Sequence, residues 1–243
     1  MQEQQASIVF DKNLASSYDK QFEKIAPIRD ALHLLMRMAL SELPADARIL
    51  CVGVGTGAEL IELALAYPHW QFTAVEPAAA MLDVCRQRTK DLGIDKRCEF
   101  HQGYLDSLPE GPLFDAATSI LVSHFIMQQP LRQDFFQQIH VRLKTGGYLL
   151  NVDLAAPISD AAYQDLLKVW RRTLAHTGMP DNKVEEILAS YSREISVLPV
   201  PELQSLIELS GFSAPRMFFQ AVLMCGWISQ RADVNRIEGD FLR

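Results

Sequence analysis

Three glycines two residues apart, Gly53, Gly55 and Gly57, close the apolar run of "ILCVGVGTGAEL" (49–60), and a helix-like sequence follows them. In a strand-to-helix turn, such glycines allow a sharp reversal, let a ligand reach the backbone, and let helix and strand pack closely. The chemistry this implies is nucleotide binding. A phosphate-gripping P-loop would end in Gly-Lys-Ser/Thr, and "GTGAEL" has no lysine. Glu76 ends the next apolar run, "WQFTAVE", about twenty residues on, where a carboxylate accepts hydrogen bonds from a ribose diol. That suits both NAD and S-adenosyl-L-methionine (SAM). The spacing separates them. A dinucleotide fingerprint is G-x-G-x-x-G, with a helix N-terminus aimed at the pyrophosphate. Here the pattern is G-x-G-x-G, and Glu59 would be a poor neighbour for a pyrophosphate. Tyr163 and Lys168 stand one residue too far apart for the Tyr-x-x-x-Lys pair of short-chain dehydrogenases. SAM is the expected cofactor.

The elements that must position these residues follow from periodicity. "IRDALHLLMRMAL" (28–40) places Ile28, Leu32, Leu35, Met36 and Ala39 at helical spacing. "ARILCVGV", "WQFTAVE", "RCEFHQG", "LFDAATSILV" and "YLLNVDL" read as five strands. Between them lie helices at "AELIELALAY", at "PAAAMLDVCRQRTKDLG" with Pro77 in its first turn, and from Pro130 with Leu131, Phe135, Ile139 and Leu143 in one stripe. "TGG" (145–147) reads as a turn. Two helical segments follow over 159–193, then a helix at "PELQSLIELSGF" and two strands, "PRMFFQ" and "VLMCGWI". Alternation over 50–153 argues for a doubly wound α/β fold with a mostly parallel sheet. The last two strands are too close in sequence for a parallel crossover, so one must run antiparallel.

Composition sets the outer bounds. The chain has 243 residues, 49% of them apolar, which is enough for one α/β domain with a full core. A net charge of −7 gives no global electrostatic case for nucleic acid. The four cysteines are scattered, with no zinc spacing, so no metal site is expected. No apolar run approaches membrane-spanning length and no leader pattern opens the chain, so the expected location is cytoplasmic.

Taken together, "ILCVGVGTGAEL", "FTAVEPAAAML", "HQGYLDSLP", "FDAATSILVSHFI" and "LKTGGYLLNVDL" resemble the class I SAM-dependent methyltransferases in order and spacing. The resemblance is strong over residues 14–153 and looser at the terminal hairpin. It implies a seven-stranded sheet of order 3-2-1-4-5-7-6 with an antiparallel last strand and helices on both faces. Residues 1–243 would form a single domain: lid helices over 1–45, a SAM-binding core over 46–153, a helical cover over 154–200, and a last helix and hairpin over 201–243.

Position by position, the resemblance places Gly53, Gly55 and Gly57 around the methionine part of SAM and Glu76 on the ribose. Pro77 and Met81 flank the adenine. Gln102, Gly103 and Tyr104 match the loop after strand three, where the family usually shows Gly-Asp. Tyr104 stands at the aspartate position, so Asp106, or the backbone of Tyr104 and Leu105, would read the ring instead. Ser119 to Phe125 end strand four, where the family's sulfonium and acceptor meet. His124 there is the candidate proton acceptor, or else a histidine satisfied by helix-cap hydrogen bonds. Asp153 would orient an acceptor or cap the next segment. In the leading "YDKQFEKIAPIRD", Tyr18 is the candidate contact to the sulfonium, and Lys24 or Arg29 the candidate partner of the SAM carboxylate.

The expected activity is methyl transfer to a small-molecule acceptor under the 154–200 cover, whose Tyr163, Trp170 and Met179 suit a partly apolar pocket. The cover could equally shield the sheet or form a homodimer. The lid and "MFFQAVLMCGW" are also similar to the carboxy-SAM synthase branch, although its usual "RSIPGY" is here "KIAPIR". A non-catalytic SAM binder is the third reading, with all three glycines and Glu76 retained.

Overall fold

A computed structural model of the chain describes residues 22–157, 161–191 and 193–232. Seven strands form one sheet: β1 Arg48–Val52, β2 Gln71–Glu76, β3 Cys98–Gln102, β4 Phe114–Ile120, β5 Leu143–Leu154, β6 Arg216–Ala221 and β7 Met224–Gln230. Their order is β3-β2-β1-β4-β5-β7-β6. Strands β1 to β5 pair in parallel, and β7 runs antiparallel to both β5 and β6. The expected topology is therefore present. The central strands are apolar on both faces because helices cover both.

Helices α1 Ala26–Ala39, α2 Ala58–Ala66 and α3 Ala79–Asp91 pack Leu32, Met36, Leu60, Leu63 and Leu82 against Ile49 and Cys51 of β1. On the other face, α4 Gln129–Arg142 and α7 Val200–Leu209 bury Phe136, Ile139, Leu203 and Ile207 against Leu50, Ala117 and Leu149. Each such buried side chain contributes about 1.5–3 kcal/mol. Helices α5 Ala161–His176 and α6 Asp181–Ser190 follow β5 and build a third apolar cluster at the strand ends, around Leu154, Trp170, Leu174 and Tyr191. No helix among the described residues is long and apolar enough to cross a membrane.

Four local expectations need correction. The stripe on α4 holds at Ile139 but not throughout: Leu131 is exposed, buried Leu143 already belongs to β5, and Arg132 and Phe136 join Ile139 on the buried face. Adjacent Phe135 and Phe136 fit the apolar period almost equally, and a buried arginine hides the true face. On α1, Leu35 is exposed and His33 takes a buried place instead. Helix α3 starts at Ala79, so Pro77 lies before the extended N-cap Ala78 instead of in the first turn. The "TGG" turn is absorbed into β5 as a bulge, where the register passes from Phe114↔Leu143 to Ala116↔Tyr148.

Candidate active site

The loop after β1 is held by its neighbour strand. Gly53 and Val54 both donate backbone N–H groups to the Val75 carbonyl, at 2.8 and 3.1 Å. The next amide, Gly55 N–H, donates to Glu76 Oε2 at 2.9 Å, while Oε1 accepts the Ala78 N–H, also at 2.9 Å. Three consecutive amides are thus turned back on β2. A phosphate-binding loop would aim such donors at the ligand, and the buried Glu76 carboxylate would repel an anion. Burial pushes the Glu76 carboxyl up, partly offset by the hydrogen bonds from Ala78 and Gly55.

The glycines divide the work. A Cβ on Gly53 (φ +67°) would lie 2.5 Å from Val122 Cγ2, so this glycine lets the turn after β4 close against β1. A Cβ on Gly57 (φ +83°) would lie 2.5 Å from Cys85 Sγ, which makes it the packing point of α2 on α3. Gly55 (φ +54°) differs: among the described residues, its Cβ would meet only Met81 Cε, at 3.7 Å. The open side of the loop is therefore at Gly55, bordered by buried Met81 and by Glu76. A ligand approaching the backbone there meets a carboxylate that can accept hydrogen bonds and an apolar side chain, a combination suited to a ribose and an adenine face.

The remaining candidates lie along this edge. Gly103 donates its N–H to the Glu76 carbonyl at 3.1 Å, which sets the loop after β3 beside the end of β2. Tyr104 is 50% exposed and caps the short 3-10 turn Leu105–Ser107. The Leu105 side chain is buried and its carbonyl accepts from Arg142 Nη2 at 3.0 Å. Asp106 and Pro77 are exposed. Ser119 pairs in register with Val52, next to Gly53, and its fully buried Oγ has no hydrogen-bond partner among the described residues. Tyr18 lies outside the described residues. Lys24 Nζ leans on Gly178 in the turn between α5 and α6, and Arg29 pairs with Asp30 on an exposed face.

At the end of β4 the chain enters a short 3-10 turn, Ser123–Phe125, through Leu121, which adopts φ +58° and donates its N–H to Val152 O at 2.7 Å. His124 is buried, with Nδ1 2.9 Å and backbone N 3.0 Å from Asp153 Oδ1. Asp153 Oδ2 accepts from the Ser123 hydroxyl and from Asn151 Nδ2, and Arg132 Nη2 lies 3.2 Å away. Arg132 also donates Nε to Ser123 Oγ and Nη1 to the Ser196 carbonyl, and the Ser196 N–H returns to the His124 carbonyl at 2.7 Å. Burial pushes the Asp153 carboxyl up, but Arg132, His124 and Ser123 outweigh it and hold it well below the usual range. Arg132, Asn151 and Ser196 escape sequence reasoning, Arg132 because an arginine on an amphipathic helix reads as surface. The third cluster brings Leu121, Phe125 and Tyr163 together beneath the insert, where Trp170 Nε1 donates to the Tyr191 hydroxyl at 2.6 Å.

The profile of the methyltransferase domain family matches residues 49–147, from β1 into β5. Residues 49–147 thus resemble a methyltransferase domain. The chain is similar to the carboxy-S-adenosyl-L-methionine synthase of Campylobacter lari, with 29% identity over 145 residues. That match spans 58% of this chain and only 59% of the relative's length. Among solved structures, an O-methyltransferase family 2 protein from Planctomyces limnophilus, in complex with apigenin, superposes with a TM-score of 0.61 at 18% identity. The alignment covers 91% of this chain and 62% of that one. CalO1, a methyltransferase in calicheamicin biosynthesis in its SAH-bound form, gives a TM-score of 0.61 at 18% identity, over 91% and 59% of the two chains. Both likenesses show the fold.

Proposed function

We propose that the chain binds SAM at the Gly53–Gly57 loop and transfers its methyl group to a small-molecule acceptor held beneath the 154–200 cover. One observation carries this most directly: the loop amides turn back on β2 while Gly55 stays open beside Glu76. Such a loop suits a nucleoside without phosphate.

When bound, SAM supplies an activated methyl group on a sulfonium, so the protein's tasks are alignment and exclusion of water. Glu76 accepts the ribose hydroxyls, Met81 covers the adenine, and Gly103 to Leu105 border the ring. Ser119 offers a buried hydroxyl beside the loop, in register with Val52. Leu121, Phe125 and Tyr163 give the acceptor a largely apolar, aromatic enclosure. His124 accepts the acceptor's proton. The assay is S-adenosylhomocysteine release from SAM on addition of a pooled metabolite extract. His124→Ala should reduce it roughly 10²–10⁴-fold, with cofactor affinity unchanged. Normal turnover in that variant would leave alignment alone to carry the reaction.

A second reading is favoured by the carboxy-SAM synthase relatives: modification of the SAM methyl itself. Against it, Lys24 rests on Gly178 and Arg29 on Asp30, so "KIAPIR" does not gather cations for a carboxylate. The mass of the SAM-derived product separates the two, since methyl transfer yields S-adenosylhomocysteine and the alternative yields a heavier SAM.

A further inference from the structure

Asp153 is fully buried at the end of β5 and is surrounded by donors on both oxygens. Oδ1 serves His124 twice, once through the backbone N–H and once through the ring. On the Oδ2 side stand Ser123 Oγ, Asn151 Nδ2 and Arg132 Nη2. The Ser123 hydroxyl accepts from Arg132 Nε at 2.8 Å, which leaves its own proton to be donated to Asp153. The Arg132 guanidinium and the donors from the His124 backbone, Ser123 and Asn151 all favour the charged form, so the group is an ionised, acceptor-only carboxylate. The 2.9 Å contact with His124 Nδ1 then requires a hydrogen on Nδ1.

We propose that Asp153, oriented by Arg132, is a positioning residue that locks His124 as the Nδ1–H form, so that Nε2 of the neutral ring carries the lone pair that takes the acceptor's proton. The proposal deepens the methyl-transfer reading and rests on it. The geometry argues against packing alone. The tautomer of an imidazole is set by the partner of its other nitrogen, and here that partner is fixed on three sides. The same carboxylate also grips the backbone of the turn that carries the ring. Arg132 extends the grip to Ser196, whose N–H binds the His124 carbonyl, so the ring's support includes the segment returning from the cover.

The test uses the full chain with ¹⁵N-labelled histidine. Long-range proton–nitrogen spectra at mildly alkaline pH should show His124 protonated at Nδ1 and bare at Nε2. In Asp153→Asn, the donors on the Oδ2 side claim the amide oxygen, which turns the NH₂ group toward Nδ1. His124 should then switch to the Nε2–H form. S-adenosylhomocysteine release should fall about 10²–10⁴-fold, while calorimetric affinity for S-adenosylhomocysteine stays within a few-fold. A native His124 in the Nε2–H form overturns the proposal, and this measurement decides even if the variant does not fold. Unchanged turnover in a folded variant whose tautomer has switched overturns it too. Failure to bind S-adenosylhomocysteine, with the Nδ1–H form present, would instead sink the methyl-transfer reading and with it the proton-accepting role.

Discussion

Glu76 Oε2 accepts the backbone N–H of Gly55 at 2.9 Å, so the carboxylate proposed to meet a ribose also fixes the one open glycine of the loop. Its second oxygen holds Ala78 N–H, the N-cap of α3. On the proposed reading, ligand recognition and the local fold therefore share one side chain.

Removing that side chain should act on both. Glu76→Ala is expected to weaken S-adenosylhomocysteine binding by roughly 1.5–3 kcal/mol, the scale of hydrogen bonds to a charged group. The melting temperature should fall as well, because two partly buried backbone amides lose their acceptor. Glu76→Gln, which keeps one acceptor oxygen, should fall between the two. Calorimetry and thermal unfolding on the same samples check this. A large stability loss with unchanged affinity would remove Glu76 from the ligand site.

The raised Glu76 carboxyl predicts a pH dependence with a definite sign. Because its folded value lies above the usual one of about 4.3, its favourable contribution to the free chain is complete below that value. It is lost as pH rises through the folded value. Ribose hydroxyls donate to the ionised form, so binding should release a proton in that window. S-adenosylhomocysteine affinity should therefore decline as pH is lowered through it. Calorimetry in two buffers of different ionisation heat measures the proton. The same release in Glu76→Gln would assign it to another group.

The glycines should respond differently to one added methyl group. Both Gly53→Ala and Gly55→Ala carry the left-handed strain of about 1–2 kcal/mol. Gly53→Ala in addition drives a Cβ into Val122, so it should be the less stable variant by denaturant unfolding. Gly55→Ala should remain folded and lose cofactor affinity. Equal stability with affinity retained in both would mean the ligand lies elsewhere.

The insert can be tested apart from the cofactor. Tyr191→Phe strips the acceptor from the buried Trp170 indole N–H and should cost about 1–3 kcal/mol of stability. Turnover should fall more than S-adenosylhomocysteine affinity, since Leu121, Phe125 and Tyr163 share that cluster. A proportional loss of cofactor affinity would argue that the insert shapes the cofactor site instead.

What was legible in the chain was local. Gly53, Gly55 and Gly57 declare a strand-to-helix turn by spacing alone, and Glu76 follows at the end of the very next strand. The antiparallel ending follows from the lack of chain between β6 and β7. The Asp153 hub was not legible, because β4, α4, β5 and the segment after α6 each bring part of it. Arg132 also sits where a helix pattern assigns a solvated residue. Burial reverses its meaning, and burial is a property of the packed sheet.

The most direct measurement is calorimetric titration of the full chain with S-adenosylhomocysteine and, separately, with NAD. Saturable 1:1 binding of S-adenosylhomocysteine, lost in Gly55→Val, with no response to NAD is the expected result. NAD binding without any response to S-adenosylhomocysteine would contradict it.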